Sequence, residues 1–124
     1  MQQLSFHPAW DKTISEKDRL LIEELFEQTY NQADDLVTSP VLRAAINHKK
    51  ELLVTVLVHN FSHHSAVFRK RSIYIHCDDF EEEQTFNIPD LIIPPVTSMP
   101  WTFIFAANPI YEQLDLTELV LEID

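Results

Sequence analysis

Six histidines and a single cysteine are the residues of this chain with the widest chemical range. His63-His64 and His76-Cys77 supply the ligand types zinc prefers. Neighbours on a strand point to opposite faces, so each pair offers at most one ligand to a common site. Three or four ligands would have to converge from different strands. The alternative is a set of solvent-facing turn histidines and an inert buried thiol, and on that reading neither metal nor cofactor is expected. Cys77 could instead act as a nucleophile, but His76 should face away from it, leaving His59, His63 or His64 to approach across the sheet as base. Nothing in the sequence marks an oxyanion hole or a third member, so the expectation is a protein that is not an enzyme.

Asp78, Asp79, Glu81, Glu82 and Glu83 form a block of like charge, read first as a solvated loop and second as a docking patch for a basic partner. Twenty acidic against nine basic side chains leave a formal charge of -11, which repels phosphate backbones and anionic lipid head groups. Nucleic acid is therefore not an expected partner; the charge reads first as keeping the protein in solution and second as favouring a partner with a basic surface. Pro94, Pro95 and Pro100 stiffen the approach to Trp101, Phe103 and Phe105. Those aromatics read as core, with an exposed binding strip as the alternative. If that segment is a sheet edge, an extended peptide could add to it as a strand. The partner-binding candidates are thus Asp78, Asp79, Glu81, Glu82, Glu83 and Trp101.

These residues must be held by one core, because 124 residues at 45% hydrophobic allow a single domain over residues 1–124. The chain has no glycine, where a usual share would give roughly nine. Dinucleotide fingerprints and phosphate loops need glycine for close backbone approach, so neither is present. Turns must rely on Asn, Asp and Pro, as at Asn47, Asn60, Asp78-Asp79, Pro89-Asp90 and Asn108-Pro109. A lone Cys77 allows no intrachain disulfide, residues 1–10 do not read as a signal peptide, and the apolar run 52–58 is too short to span a membrane. A cytoplasmic location without membrane insertion is expected.

Leu4-Ser5-Phe6 alternates like a short edge strand ended by His7-Pro8. Ser15, with Asp18 three residues later, opens an amphipathic helix over about 15–30, in which Leu21, Ile22, Leu25, Phe26 and Thr29 share a face. A polar connection over 31–40 follows. From residue 41 onward the pattern is short apolar segments between polar turns, as in an antiparallel sandwich. Residues 41–46 and 52–59 should form a hairpin, the second strand central because both its parities are apolar. In 65–77, Val67, Ile73, Ile75 and Cys77 fall at one parity and Phe68, Tyr74 and His76 at the other, with Arg69-Lys70-Arg71 suggesting exposure or a bulge. Phe86 and Ile88 form a short strand, 101–105 is strongly β-forming, and 119–123 closes the chain. The expected product is a mainly β fold, an immunoglobulin-like antiparallel β-sandwich with one N-terminal amphipathic helix.

The order of Leu4-Ser5-Phe6-His7-Pro8-Ala9-Trp10, Ser15-Glu16-Lys17-Asp18-Arg19, residues 54–60 and Pro100-Trp101-Thr102-Phe103-Ile104-Phe105 resembles the SLAP domain of Bacillus-type bacteria. That domain is named for the S-layer assembly protein that accompanies an accessory Sec secretion pathway. The resemblance spans nearly the whole chain and implies a non-enzymatic, protein-binding accessory factor in export or assembly of surface-layer proteins. Its implied partners are the accessory Sec ATPase or a surface-layer precursor, and it carries no catalytic residues over. The assembly protein holds the domain in duplicate, whereas this chain has room for one copy, so it either dimerises to restore the pair or has a different job. A structural homo-oligomer is the competing function, and a His/Cys metal-binding protein the third.

Overall fold

Ser15 caps the main helix as its position suggests: its Oγ accepts from the Asp18 amide at 3.1 Å, satisfying one of the open donors of the first turn. The computed structural model describes residues 2–29 and 35–123. The expected last residue of the helix, 30, and the start of the polar connection, 31–34, lie outside them. Among the described residues there are two α-helices, α1 (Pro8–Thr13) and α2 (Glu16–Thr29). His7-Pro8, expected to end a strand, instead starts α1, because proline in the first turn withholds only an amide that has no helical partner. His7 Nδ1 takes the Ala9 amide at 3.1 Å, and Arg19 ties the two helices together through Asp11 at 2.7 Å.

Among the described residues eight strands form two sheets: β1 (Gln3–Leu4), β2 (Leu36–Thr38), β3 (Arg43–Ile46), β4 (Leu52–Asn60), β5 (Ala66–Cys77), β6 (Phe80–Ile93), β7 (Thr97–Phe105) and β8 (Val120–Ile123). The larger sheet runs β1-β7-β4-β2, with β3 also paired to β4, and the smaller runs β6-β5-β8. The expected hairpin is β3–β4, closed by Ile46 opposite Leu52, and β4 is central. Leu52, Val54, Val56 and Val58 face the second sheet, where Phe68, Ile73, Ile75, Leu91, Ile93 and Leu121 complete a common core. The other face of β4, carrying Leu57 and His59, lies under α2, as the doubly apolar pattern required.

Several expectations are corrected. β1 runs parallel to β7, so the sheets are not purely antiparallel, and the strand order does not establish an immunoglobulin-like topology. The acidic run is not a loop: only Asp78 and Asp79 connect β5 to β6, and Glu81, Glu82 and Glu83 lie in a fourteen-residue strand that absorbs the short one expected at Phe86 and Ile88. The bulge expected at Arg69-Lys70-Arg71 is present, with register shifts on both sides of Phe68 and Lys70 at φ 49°. It reverses the parity read for the start of β5. Val67 is exposed opposite Ile92, while Phe68 joins Ile73, Ile75 and Cys77 in the core.

Turns without glycine use the expected polar residues at Asn47, Asp78-Asp79 and Asn108, but Pro89-Asp90, expected as a turn, lies within β6. Asn47 Oδ1 accepts the Lys49 and Glu51 amides at 2.9 and 3.0 Å, and Asn108 Oδ1 accepts that of Ile110 at 3.1 Å, opening a 3-10 turn over Pro109–Gln113. Left-handed backbone falls on Lys50, Lys70, Asp78 and Val96. Each carries a cost of roughly 1–2 kcal/mol that glycine would not.

Candidate functional site

The hairpin β5–β6 places the candidate acids according to strand alternation. Asp78 and Asp79 are exposed at its tip, and Glu81 and Glu83 are exposed on the face turned away from the core. There they flank Tyr74 and His76, their cross-strand partners on β5, with Glu122 of β8 on the other side. Together with the edge of Ile75, these groups line a shallow surface depression of about 330 Å³. His76 Nε2 stands 3.9 Å from Glu122 Oε1, the only cation-type group paired with any of these carboxylates among the described residues.

Glu82, between them, is half-buried: it borders the depression, but its carboxylate is held from the inner side. Its carboxylate accepts the hydroxyl of buried Tyr111, the Gln84 amide at 2.7 Å and the Asn108 amide at 3.2 Å. Gln84 in turn accepts the Ala106 amide at 2.8 Å. This network locks β6 to the end of β7 and to the 3-10 turn. Burial, followed by the hydrogen bond and charge of Glu82, pushes the Tyr111 phenol well above its ordinary pKa, so it stays a donor.

Trp101 is half-buried at the core-facing parity of β7, opposite Val56, and its ring meets His7 edge-on at 5.4 Å. It lies beyond the short β1, which pairs only with Thr97 and Ser98. Its position is that of a wedge between the core and the start of α1. The acids and Trp101 are therefore not brought together: one group forms an outward face, and the other a packing contact on the opposite sheet.

His59, one of the three histidines considered as a base, has both ring nitrogens in buried hydrogen bonds. His59 is fully buried, and its Nδ1 lies 2.6 Å from Ser98 Oγ and its Nε2 2.8 Å from Thr29 Oγ1. Thr29 spends its own proton on the Leu25 carbonyl at 2.8 Å, so it accepts from Nε2–H. Ser98 accepts from Gln2 Nε2 at 3.0 Å and gives its proton to Nδ1. The chain of donors runs one way, from Gln2 through Ser98, His59 and Thr29 to Leu25, and leaves the imidazole neutral and fully satisfied. Desolvation lowers the His59 pKa to about 4. Ser98 with a histidine at 2.6 Å resembles a nucleophile and its base, yet both are buried beneath α2, and the larger surface cavities are lined by other residues. The available signal was parity: His59 shares the helix-covered face with Leu57, where a buried polar ring must find partners.

Cys77 is buried in the core, and burial, reinforced by Asp78 and Asp115, pushes its thiol pKa up, away from the reactive thiolate. His76 is on the opposite face, as alternation requires. Among the described residues no group of three or more His, Cys, Asp or Glu is placed to hold a metal ion, and no helix is long and apolar enough to cross a membrane.

Against known proteins, residues 4–123 match the family model of the SLAP domain, associated with the accessory Sec system. No curated protein and no solved structure gives a significant match.

Proposed function

Because the chain belongs to the SLAP domain family, we propose that it is a non-enzymatic, protein-binding accessory factor in export or assembly of surface-layer proteins. It acts on the cytoplasmic side of an accessory Sec pathway, with the Sec ATPase or a surface-layer precursor as partner. The observation that supports this reading is the outward face of the β6-β5-β8 sheet. Asp78, Asp79, Glu81, Glu83 and Glu122 are exposed there, and no Lys or Arg neutralises them among the described residues. Such a face attracts a basic surface and speeds encounter with it. Glu82, at the border of this face, holds β6 in place, and Trp101 holds the entry of the helices on the other sheet.

The test is capture of purified accessory Sec ATPase and of a surface-layer precursor by the immobilised domain. The intact domain is compared with one carrying Asp78→Asn, Asp79→Asn, Glu81→Gln and Glu83→Gln. Retention of one of these partners by the intact domain, reduced at least tenfold by neutralisation, supports the assignment. Equal retention by both forms removes the acidic face from it, and no retention of either partner removes the export role.

A further inference from the structure

Among the described residues β6 is the longest strand, and it pairs on one side only, with β5. Cys77 and Phe80 close its two-residue turn as a hydrogen-bonded pair, and the register runs unbroken from there to Arg71 opposite Phe86. Backbone groups along an antiparallel strand point to alternate sides. Glu82, Gln84 and Phe86 therefore bond to β5, while Glu81, Glu83 and Thr85 turn N–H and C=O away from it. The far side of the sheet agrees with this phase: Leu121, opposite Ile75, turns its carbonyl outward, where Thr38 Oγ1 donates to it at 2.8 Å. No hydrogen bond to the described residues takes up the outward backbone groups of Glu81, Glu83 and Thr85, and all three residues are exposed.

The other edges are shorter or closed. β2, β3 and β8 have three or four residues each. On β7, the segment whose sequence suggested strand addition, β1 occupies Thr97 and Ser98, and Pro100 has no N–H to continue that ladder. Farther along it, Gln84 Oε1 takes the Ala106 amide at 2.8 Å. The two sides of the β6 edge differ in chemistry. Facing away from the core, Glu81 and Glu83 are in no ion pair with Lys or Arg among the described residues. Facing inward, Phe86 and Ile88 are half-buried against the core, and exposed Ala106 lies beside Gln84.

We propose that this edge takes up an extended segment of a partner chain as an added strand, with Lys or Arg at alternate positions and apolar residues between them. The proposal rests on the reading of this region as a docking surface and gives the partner its chemistry. Residues of an added strand lie opposite Glu81 and Glu83, about 5 Å away between Cβ atoms, where opposite charges stabilise and like charges destabilise. Alternation carries the intervening side chains to the other face, beside Phe86 and Ala106. Main-chain bonds to Glu81, Glu83 and Thr85 supply affinity without regard to sequence, and the two faces supply the selection. Glutamates on an open edge also disfavour pairing with a second copy, whose β6 is equally acidic.

The probe is a synthetic peptide, acetyl-Lys-Val-Lys-Val-Lys-Val-Lys-amide, titrated to roughly 1 mM into the isotope-labelled chain while amide hydrogen exchange is followed by NMR. In the free chain the amides of Glu81, Glu83 and Thr85 should exchange far faster than those of Glu82 and Gln84. Bound peptide should slow the first three roughly tenfold. A peptide of equal composition without alternation, acetyl-Lys-Lys-Val-Val-Val-Lys-Lys-amide, should bind roughly tenfold more weakly. N-methylation of one alternate set of amides in the first peptide should abolish binding and that of the other set should spare it, since only one set faces β6. Thr85→Pro removes an N–H that β5 does not use, and should weaken binding roughly tenfold while Glu82 and Gln84 stay protected. Protection of Glu81, Glu83 and Thr85 in the free chain, equal binding of the two peptides, or equal effects of the two methylations overturns the proposal. Protection that grows with chain concentration in the absence of peptide assigns the edge to a second copy and overturns the choice of occupant. Failure of the alternating peptide to bind overturns it as well, and leaves the export role to the capture experiment, which uses no free peptide.

Discussion

His59 Nε2 donates to Thr29 Oγ1 at 2.8 Å, fastening the last turn of α2 to the central strand β4. The bond is made thirty residues apart in sequence, inside the layer between helix and sheet. It requires a neutral imidazole whose proton sits on the helix side.

Stability should fall with acidification in a window set by His59. Its folded pKa is about 4 against an ordinary 6.5, so between these values the unfolded chain binds the extra proton and unfolding is favoured as pH drops. The full shift corresponds to about 3 kcal/mol lost from above pH 6.5 to below pH 4. Urea denaturation at pH 7 and pH 4.5 should show a steeper loss for the unaltered chain than for His59→Gln. Equal losses would show that other groups govern the acid response.

Removing the acceptor at the helix end should also be costly. Thr29→Val keeps the side-chain shape but leaves the buried Nε2–H without a partner, a loss of about 1–3 kcal/mol. Thr29→Ser preserves the hydroxyl and should cost under about 1 kcal/mol. Chemical denaturation of the pair separates hydrogen bonding from packing, and indistinguishable midpoints would refute the assignment.

Tyr111→Phe should destabilise by about 1–3 kcal/mol, because it strips the buried side of the Glu82 carboxylate of a donor. In the intact chain, alkaline spectrophotometric titration should find one tyrosine ionising only as the fold is lost. Titration of every tyrosine in the ordinary range, with the fold still intact, would contradict the burial of this phenol.

Asp78→Gly should raise stability by about 0.5–1 kcal/mol. The residue holds φ at 50° in a two-residue connection, where glycine carries no left-handed penalty but loses more entropy on folding. Thermal unfolding supplies the check, and a lowered midpoint would mean that the Asp78 side chain contributes more than its backbone costs.

Local pattern was enough for the elements whose signals lie within a few residues. Ser15 and Asp18 with the helical apolar spacing determined α2, and continuous apolar parity determined that β4 is central. Three adjacent cations, which cannot alternate into a core, marked the bulge of β5. With the order of its motifs, the sequence also carried the family resemblance.

Tertiary structure alone decided what each side chain does. The carboxylates of Glu81, Glu82 and Glu83 read identically in the sequence, yet pairing β6 in one register turns the middle one onto Tyr111, twenty-nine residues away, and leaves its neighbours in solvent. His59 looked like any of six histidines until Ser98 and Thr29, both distant in sequence, closed around it. β1 had no local mark of its parallel pairing with β7. Composition and periodicity act over one or two turns of chain, whereas register, the facing of strands and the satisfaction of buried polar groups are settled between segments that meet only on folding.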